Sequence, residues 1–357
     1  MYFWYTKVEL ETDSNCPWKA EARRILLRPT WTLWLYAVCL AAVWLAIYFG
    51  GDRWWLPTVM MFGPKWVYGL PLPVLVVWTA IARAGRRPWL LLAASGGLVL
   101  FPIAGFCLPW RALAVTQSSE LCVLTCNTGR ERCNPAQLAA VIAEARPDVV
   151  CLQECTLDVQ AVFGDDWNVR QAGGLVVAAR GEATSLDVLT RDLPDRWPRA
   201  ICQVVRVRHA GRSFHVATLH LFSPRYGLAE VASSQTILAP WRRDTLARQT
   251  EYRRAESQQV SRWLKKLDGP LLIAGDFNTP ISSTIYRESW GSYRNAFSDA
   301  GFGFGHTVQI EEGGYQFTAR IDHILASDHW RCSECWVGPD VGSDHRPVIA
   351  RLTSNSY

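Results

Sequence analysis

Acidic, amide and imidazole side chains recur in short motifs along the last two thirds of the chain. Carboxylate and amide oxygens suit a hard divalent cation, and histidines and carboxylates can transfer protons near neutral pH. The cysteine spacings do not match a zinc site, so this chemistry favours Mg²⁺ or Mn²⁺. The motifs are Asn127, Leu-Gln-Glu at 152–154, Thr-Leu-His at 218–220, Gly-Asp-Phe-Asn at 275–278, Ile-Asp-His at 321–323 and Ser-Asp-His-Arg-Pro at 343–347.

A unit of strand, helix and strand positions two of these motifs. Residues 121–126 form an apolar run that predicts a buried strand ending at Asn127. Residues 135–145 have helical character, and residues 148–152 predict a second strand that leads into Glu154. A connection this compact joins neighbouring parallel strands. Asn127 and Glu154 are therefore expected at one edge of a sheet, where α/β proteins place their ligand sites.

The later motifs also follow predicted strands. A short buried strand at 271–274 leads into Asp276 and Asn278. Because these two residues are two positions apart on an extended segment, their side chains are expected to face the same way. The same residue types also favour turns, and both interpretations can hold together. Further strands are predicted at 173–179, 201–207 and 213–220, and a long polar helix at 242–266.

The ordered motifs, each at the end of a strand, resemble those of the endonuclease/exonuclease/phosphatase superfamily. That superfamily includes DNase I, exonuclease III, the sphingomyelinases and the inositol-polyphosphate phosphatases. The resemblance covers about residues 119–353. It implies an α/β fold, a two-sheet four-layer sandwich of the DNase I-like type. It also implies hydrolysis of phosphoester bonds with Mg²⁺ or Mn²⁺ as cofactor.

The resemblance assigns roles to particular side chains. Glu154, with Asn127 beside it, would bind the divalent cation. Asp344 would lie next to the metal or the attacking water. Asp276 would orient or deprotonate that water, and Asn278 would hold the water or a phosphate oxygen.

Two histidines complete the implied site. His345 would donate to the phosphate oxygens, with Asp322 fixing its tautomer and favouring its charged form. His220 resembles the histidine that DNase I and the sphingomyelinases place near the leaving group, where exonuclease III has a tyrosine, and general-acid help would suit it. Arg225 is either a phosphate contact or a surface arginine. His323 is expected to point away from Asp322.

The first 114 residues differ in composition from the rest of the chain. Three apolar stretches, at 29–51, 66–82 and 88–110, have tryptophans crowded around their ends. A membrane-spanning helix needs ~20 apolar residues, and tryptophan is enriched at membrane interfaces. A signal peptide and buried core helices are the alternatives, but a signal peptide has a shorter apolar core. We therefore predict a small helical membrane domain with about three spans at 1–114 and a catalytic domain at 115–357.

Basic residues predict the orientation of these spans. They precede the first apolar stretch and separate the second from the third, whereas the connection between the first and second has little net charge. The positive-inside rule then places the N-terminus and the second connection in the cytoplasm. The prediction is a multi-pass protein of a bacterial-type cytoplasmic membrane with an extracytoplasmic catalytic domain. The basic residues concerned are Lys19, Arg23, Arg24, Arg28, Arg83, Arg86 and Arg87.

Net charge argues against a general nucleic-acid binder. Residues 1–114 hold 11 Lys or Arg and 5 Asp or Glu, a net charge of +6, whereas residues 115–357 hold 26 and 27, a net charge of −1. Proteins that bind nucleic acids regardless of sequence need a basic surface that displaces counterions. The predicted catalytic domain lacks this excess, so the sequence carries no strong nucleic-acid signal.

The resemblance leaves several functions open. Three spans before such a domain resemble the bacterial membrane proteins linked to vancomycin and teicoplanin resistance, which implies a phosphorylated lipid partner such as undecaprenyl pyrophosphate. The alternatives are a membrane-tethered DNase I-like nuclease or sphingomyelinase-like phosphodiesterase, and an inactive membrane scaffold on this fold. Export would also permit disulfides, with Cys133 and Cys155, and Cys332 and Cys335, as candidate pairs. The sequence does not indicate an oligomeric state.

Overall fold

The computed structural model describes residues 30–112, 121–191, 198–232, 242–312 and 315–354. The basic residues predicted to precede the first span lie outside these ranges. Up to residue 103 the described chain is helical. Its elements are α1 (Thr30–Gly50), α2 (Trp55–Phe62), a 3₁₀ turn (Lys65–Gly69), α3 (Pro71–Ile81), α4 (Arg86–Leu98) and a π turn (Val99–Ile103).

From residue 121 strands alternate with helices. The helices are α5 (Pro135–Ala145), α6 (Val159–Phe163), α7 (Arg225–Ala232), α8 (Arg242–Leu264), α9 (Thr284–Trp290) and α10 (Ala296–Ala300). The strands are β1 (Leu121–Asn127), β2 (Val149–Gln153), β3 (Asn168–Ala172), β4 (Leu175–Ala179), β5 (Glu182–Thr190), β6 (Ala200–His209), β7 (Arg212–His220), β8 (Leu271–Asp276), β9 (Arg294–Asn295), β10 (Val308–Glu312), β11 (Tyr315–Ala319), β12 (Asp322–Ala326), β13 (Trp330–Val337) and β14 (Val348–Ser354).

The strands form two mixed six-stranded sheets. The first has the order β13-β14-β1-β2-β4-β3, and the second has the order β5-β6-β7-β8-β12-β9, while β10 and β11 form a separate hairpin. β1 and β2 are parallel neighbours joined through α5, as the sequence predicted. The Asn134 side chain accepts hydrogen bonds from the first backbone amides of α5, so the turn out of β1 ends in a capped helix.

Apolar side chains on both faces of each sheet produce four layers. Between the sheets, Val123 and Val177 pack in one core with Val216 and Leu272. The outer face of the first sheet packs against α5 and α6, and that of the second packs against α8 and α9. Full burial of one such side chain contributes ~1.5–3 kcal/mol, so these layers supply the main driving force for the fold. The predicted DNase I-like sandwich is confirmed.

Among the described residues, α1 is the helix that is long and apolar enough to cross a membrane by itself. The segments Trp55–Phe62 and Lys65–Ile81 reach that length only together, and they meet at an angle of 89°. The region predicted as the third span divides into α4 and the π turn. The structure therefore supports one spanning helix directly.

The helical segment packs on the sandwich. Ile47, Met61 and Phe62 share a buried cluster with Val308 and Ile321. Farther along, the backbone of Cys107 pairs with that of Gly303. The end of α1 and the chain after the π turn therefore both contact the α/β part.

The cysteines of the described residues are free thiols. Neither predicted disulfide is formed. Cys332 and Cys335 are close enough for their thiols to interact, and both are buried among the residues between the sheets.

Candidate active site

Strand register brings the motif residues together. In the second sheet, His220 at the end of β7 lies opposite Asp276 at the end of β8, and Asp322 at the start of β12 lies opposite the same residue. In the first sheet, β1 ends at Asn127 and β2 ends one residue before Glu154. The ends of the two sheets face each other, since the Asn127 side chain donates to that of Asp276.

Gly275 makes this register possible. Its φ is 151°, and a Cβ atom at this position would lie 2.1 Å from the Leu219 carbonyl oxygen. Any side chain would push β8 away from β7 and so separate Asp276 from His220. The glycine of the Gly-Asp-Phe-Asn motif is therefore required by the close approach of the two strands.

Asp276 lies at the centre of the site and is 1% exposed. Its carboxylate accepts hydrogen bonds from Asn127 Nδ2 at 3.0 Å and from the Asn278 amide N at 2.8 Å. Asn278 Nδ2 is 3.2 Å from the same carboxylate and also donates to the Leu221 carbonyl. Burial, together with the nearby charge of Asp322, raises the pKa of Asp276 to about 7 against the opposing effect of His345.

His345 and Asp322 form a buried pair. His345 Nδ1 is 2.8 Å from Asp322 Oδ2, and its Nε2 is 3.8 Å from Asp276 Oδ2. Burial favours the neutral imidazole, but the carboxylates of Asp322 and Asp276 outweigh it and raise the pKa of His345 to about 10. The side chain is therefore an imidazolium at neutral pH, with Asp322 orienting its ring.

His220 is neutral, unlike His345. Burial, reinforced by the Arg199 guanidinium, holds its pKa well below the usual range. Arg199 Nη2 contacts His220 Nδ1, and because arginine only donates, Nδ1 must accept. The hydrogen is then on Nε2, which lies 3.6 Å from both Glu154 Oε1 and Asp276 Oδ2. Neutral His220 therefore presents an N–H group to the centre of the site.

Glu154 borders the site on the side of the first sheet. Its backbone is left-handed, with a φ of 49°, which turns the chain sharply after β2. Its carboxylate is 3.6 Å from Arg130 Nε and is partly accessible. It is thus the most open of the carboxylates near His220.

The donor atoms suit a divalent cation. Polar atoms of Asp276, Asp322 and His345 lie within 4.8 Å of one another, and since the His345 imidazolium has no lone pair for a metal, the two carboxylates are the ligands that this group offers. Asp322 Oδ1 is buried without a hydrogen-bond partner in the described part of the chain. A buried carboxylate oxygen of this kind favours a bound cation, and oxygen-rich ligation is typical of Mg²⁺ or Mn²⁺.

The three residues predicted as metal ligands occupy different positions in this site. Glu154 faces its centre. Asn127 Oδ1 accepts from the Gly129 amide, so its side chain supports Asp276 and the following turn. Asp344 is 2.7 Å from Arg132 Nη1 and 3.7 Å from Arg225 Nη1, at the rim of the site. Metal ligation by Glu154, Asn127 and Asp344 stays a prediction.

Sequence reasoning missed two basic groups at the site. Arg199 lies behind His220, and no motif marks it because the contact forms only when β6 and β7 pair. Arg132 follows Asn127 by five residues and binds Asp344. Its place in the loop after β1 was a usable signal, since that loop emerges at the predicted edge. His323 behaves as predicted, because its Nε2 contacts the Thr279 carbonyl on the far side of the strand.

The Gly-Asp-Phe-Asn segment is supported from the helical part. Arg253 is fully buried, and its Nη2 donates to the Asn278 carbonyl at 3.0 Å and to Thr279 Oγ1 at 3.2 Å. Its Nη1 is 2.6 Å from Asp52 Oδ1, at the turn after α1. Asp52 is 2% exposed and also accepts from Ser283 Oγ. The Asp52 carboxylate, in the connection between α1 and α2, thus balances the charge of Arg253. Arg253 in turn holds the catalytic loop, residues 277–279, which follows β8.

Comparison with known proteins identifies the family. The sequence profile described as "Endonuclease/Exonuclease/phosphatase family" matches residues 124–345, which is more than half of the chain. The chain belongs to this family. Members hydrolyse phosphoester bonds and typically depend on divalent metals, which agrees with the buried carboxylate and histidine group. No curated protein sequence matches the chain.

Several solved structures are similar to the chain at low identity. A mannosyl-6-phosphatase from Bacteroides thetaiotaomicron is 15% identical with a TM-score of 0.48, covering 66% of this chain and 100% of that one. An AP endonuclease from Archaeoglobus fulgidus is 16% identical with a TM-score of 0.47, covering 64% and 98%. A 3′ phosphatase from Neisseria bound to a DNA hairpin is 16% identical with a TM-score of 0.48, covering 65% and 99%.

The pair of His345 and Asp322 predicts an alkaline limit to activity. Hydrolysis that needs the imidazolium should fall as pH rises through about 10, the pKa of His345. Asp322→Asn removes a charge that raises this pKa, so the descending limb should move about 1–3 pH units lower. The measurement is kcat/KM against pH for bis(p-nitrophenyl) phosphate with saturating Mg²⁺. Asp187→Asn, at an exposed position on β5, should leave the limb in place, and an unmoved limb in Asp322→Asn would exclude this role.

Proposed function

We propose that the protein is a membrane-anchored phosphoester hydrolase that acts on a lipid-linked pyrophosphate outside the cytoplasm. The observation that carries the proposal is the contact between the helical segment and the rim of the site. Met61 and Phe62 pack against Ile321, which precedes Asp322, and Val308, which bridges to His345. A substrate held in the bilayer would be concentrated next to this site.

Exposed apolar side chains support the membrane anchor. Large aliphatic and aromatic groups on several helices of the N-terminal segment lie on the surface, and such patches mark membrane or protein contacts. Two further segments are close to ~17 residues, the shortest length that crosses a hydrocarbon core. One runs from the 3₁₀ turn through α3, and the other runs from α4 through the π turn. Three spans are therefore part of the proposal. The exposed apolar residues include Trp31, Leu35, Val38, Trp54, Trp66, Leu70, Val74, Val77, Ile81, Leu90 and Trp110.

The packing of the helices supports the orientation. Leu33, near the start of α1, clusters with Leu75 and Leu92, whereas Ile47, near its end, contacts the sandwich. The turn between α3 and α4, with its three arginines, therefore lies at the end of the helices remote from the catalytic part. By the positive-inside rule that end is cytoplasmic, which places the catalytic part outside.

Each site residue has a role in this proposal. Asp276 orients the attacking water and accepts its proton. The His345 imidazolium, held by Asp322, donates from Nε2 to the phosphate oxygens, and neutral His220 donates from its own Nε2 toward the leaving oxygen. Glu154, with Asn127 and Asp344 as the other predicted ligands, would hold a divalent cation, Mg²⁺ or Mn²⁺, which would neutralise phosphate charge.

The substrate class can be tested by direct comparison. Full-length protein in detergent micelles with Mg²⁺ should release phosphate from a polyprenyl pyrophosphate at least about tenfold faster than it nicks plasmid DNA, because micelles concentrate the lipid around the helices. The lipid reaction should respond weakly to salt, since one head group is bound. A nuclease holds several backbone phosphates, so its affinity falls steeply with salt.

Asp276→Asn serves as the inactive control for contaminating phosphatases. Rapid, salt-sensitive DNA nicking without phosphate release from the lipid would replace this proposal with the tethered nuclease. Hydrolysis of sphingomyelin in preference to both would favour the phosphodiesterase. If neither bis(p-nitrophenyl) phosphate nor any of these substrates is hydrolysed, the remaining alternative, an inactive membrane scaffold on this fold, would be favoured.

A further inference from the structure

A cavity of about 320 Å³ lies where the helical segment meets the sandwich. One wall comes from the end of α1, residues 44–48, and from residues 101–105 around the π turn. The opposite wall comes from residues 280–282, after the catalytic loop, and 318–320, before β12. None of its lining residues belongs to the group of Asp276, Asp322 and His345. Its volume falls within the range of small-molecule sites, ~300–1,000 Å³.

Basic side chains line this junction cavity without acidic partners. Lys65, Arg287 and Arg320 contribute to its walls, and no Asp or Glu of the described residues does. None of these three side chains forms an ion pair with a carboxylate in the described ranges. Arg320 is only 6% exposed. Because buried cations without counter-charges are destabilising, the cavity is suited to an anion.

The two arginines are held by neutral groups. Arg287 Nη1 donates to the Ser282 carbonyl at 2.6 Å, and its Nη2 donates to the Tyr48 carbonyl. Arg320 Nη1 lies 3.2 Å from Cys107 Sγ. These contacts fix the guanidinium groups without a direct ion pair, although the charges of Glu288 and Asp52 partly offset that of Arg287. Lys65 Nζ makes no hydrogen bond to the described residues, so it is free to bind a ligand.

Apart from Ser282, His306 and Thr318, the rest of the cavity wall is mainly apolar, and it adjoins an aromatic surface. Phe106 makes edge contacts with Phe302 and Phe304, at ring-centroid distances of 5.4 and 5.2 Å. Phe302 is 71% exposed, although its ring contacts that of Phe106, just after the π turn. Aromatic groups in such positions are typical of the membrane interface. The cavity therefore combines three basic groups with a mainly apolar wall, next to aromatic side chains of the kind found at membrane interfaces.

We infer that the junction cavity binds the phosphate of an anionic glycerophospholipid from the surrounding bilayer, separately from the catalytic site. The lipid chains would lie along the wall formed by α1 and the π turn. Lys65 would contact the phosphate directly, with the two arginines adding positive charge. This inference rests on the membrane anchoring proposed above, but not on the identity of the hydrolysed substrate.

Lipid titration of the full-length protein tests the inference. Delipidated protein in a neutral detergent would be titrated with dioleoylphosphatidylglycerol or dioleoylphosphatidylcholine and examined by native mass spectrometry. Both lipids present a phosphate anion, but phosphatidylcholine also carries a choline cation that the three basic groups would repel, so the first phosphatidylglycerol should bind about tenfold more tightly. Lys65→Met should remove most of this preference. Lys265→Met, at an exposed position in the turn directly after α8, should retain it.

A second variant covers the case in which Lys65→Met fails to fold. Ala104→Phe places a ring in the cavity, so it should weaken binding of the first phosphatidylglycerol while leaving turnover of bis(p-nitrophenyl) phosphate intact. Equal affinities for the two lipids in the unmodified protein, or an unchanged preference in a folded Lys65→Met variant, would overturn the inference. Competitive inhibition of pyrophosphate hydrolysis by phosphatidylglycerol would also overturn it, because the cavity would then belong to the substrate. A lipid preference without any pyrophosphate hydrolysis would support the cavity and contradict only the proposed function.

Discussion

Replacing Asp276 with asparagine should lower kcat/KM for bis(p-nitrophenyl) phosphate by about 10³–10⁴-fold. The substitution keeps the size of the side chain but removes the only charge that both Asn127 and Asn278 orient toward the centre of the site. It also removes the group that would take a proton from water, and one carboxylate of the candidate metal site. The measurement is steady-state hydrolysis by the full-length protein with saturating Mg²⁺.

The same substitution should stabilise the metal-free protein above neutral pH. Asp276 has a pKa of about 7 when folded, above its unfolded value. Stability is then fully present below about pH 4 and is lost as pH rises through about 7, by up to a few kcal/mol. Asp276→Asn cannot ionise and should escape this loss. In EDTA its melting temperature should exceed that of the unmodified protein at pH 8 and equal it at pH 4.

Opposite effects on activity and stability separate a catalytic role from a structural one. A residue that only held the fold would lower both when replaced. Asp165→Asn, at an exposed position after α6, is the matched control and should change neither. Activity within about tenfold of the unmodified protein would exclude Asp276 as the base.

The sequence was most informative where strands are short, buried and mainly apolar. β1, β2 and β8 are buried along their entire length, and each leads directly into polar residues. An abrupt change from apolar to polar residues at the end of a buried strand marks the edge of a sheet, so Asn127, Glu154 and Asp276 could be placed together. The edge strands β3 and β5 went unrecognised because their exposed side chains lack this contrast.

Contacts between distant parts of the chain could not be predicted from the residues alone. The pairing of His345 with Asp322 came from the family resemblance, since 23 residues separate them. Arg199 and Arg132 act through contacts that form only after strands pair and loops pack. The apolar stretches at the N-terminus predicted helices. They did not predict that Asp52 is buried against Arg253, because in the sequence it is an ordinary charge between two spans.

Replacing Asp52 is expected to have the second large effect, on the stability of the folded protein. Asp52→Ala should destabilise the full-length protein by about 3–5 kcal/mol, because it leaves the buried Arg253 cation without its partner. Asp52 also has a left-handed backbone, with a φ of 60°, which alanine tolerates less well than aspartate or asparagine. Asp52→Asn keeps that conformation and one acceptor, so it should cost less. Thermal unfolding in detergent, followed by tryptophan fluorescence, measures both.

A double substitution distinguishes charge from packing. Asp52→Asn combined with Arg253→Met removes both charges, so it should recover part of the stability that either single change loses. Activity should not recover, because Arg253 no longer holds the Asn278 carbonyl. Asp165→Asn again serves as the control for loss of an unpaired surface carboxylate. Additive losses in the double variant would contradict a coupled pair.

The ion pair between Asp52 and Arg253 also links the stability of the catalytic part to the N-terminal helices. A fragment beginning at residue 115 would lack Asp52 and leave Arg253 buried without a counter-charge beside Asn278 and Thr279. We therefore expect this fragment to unfold at lower temperature and to hydrolyse even the soluble diester more slowly, since its catalytic loop loses support. Arg253→Met in the fragment should restore part of its stability, because it removes the unpaired cation. A fragment as stable and as active on the diester as the full-length protein would show that the helices supply only proximity to the membrane.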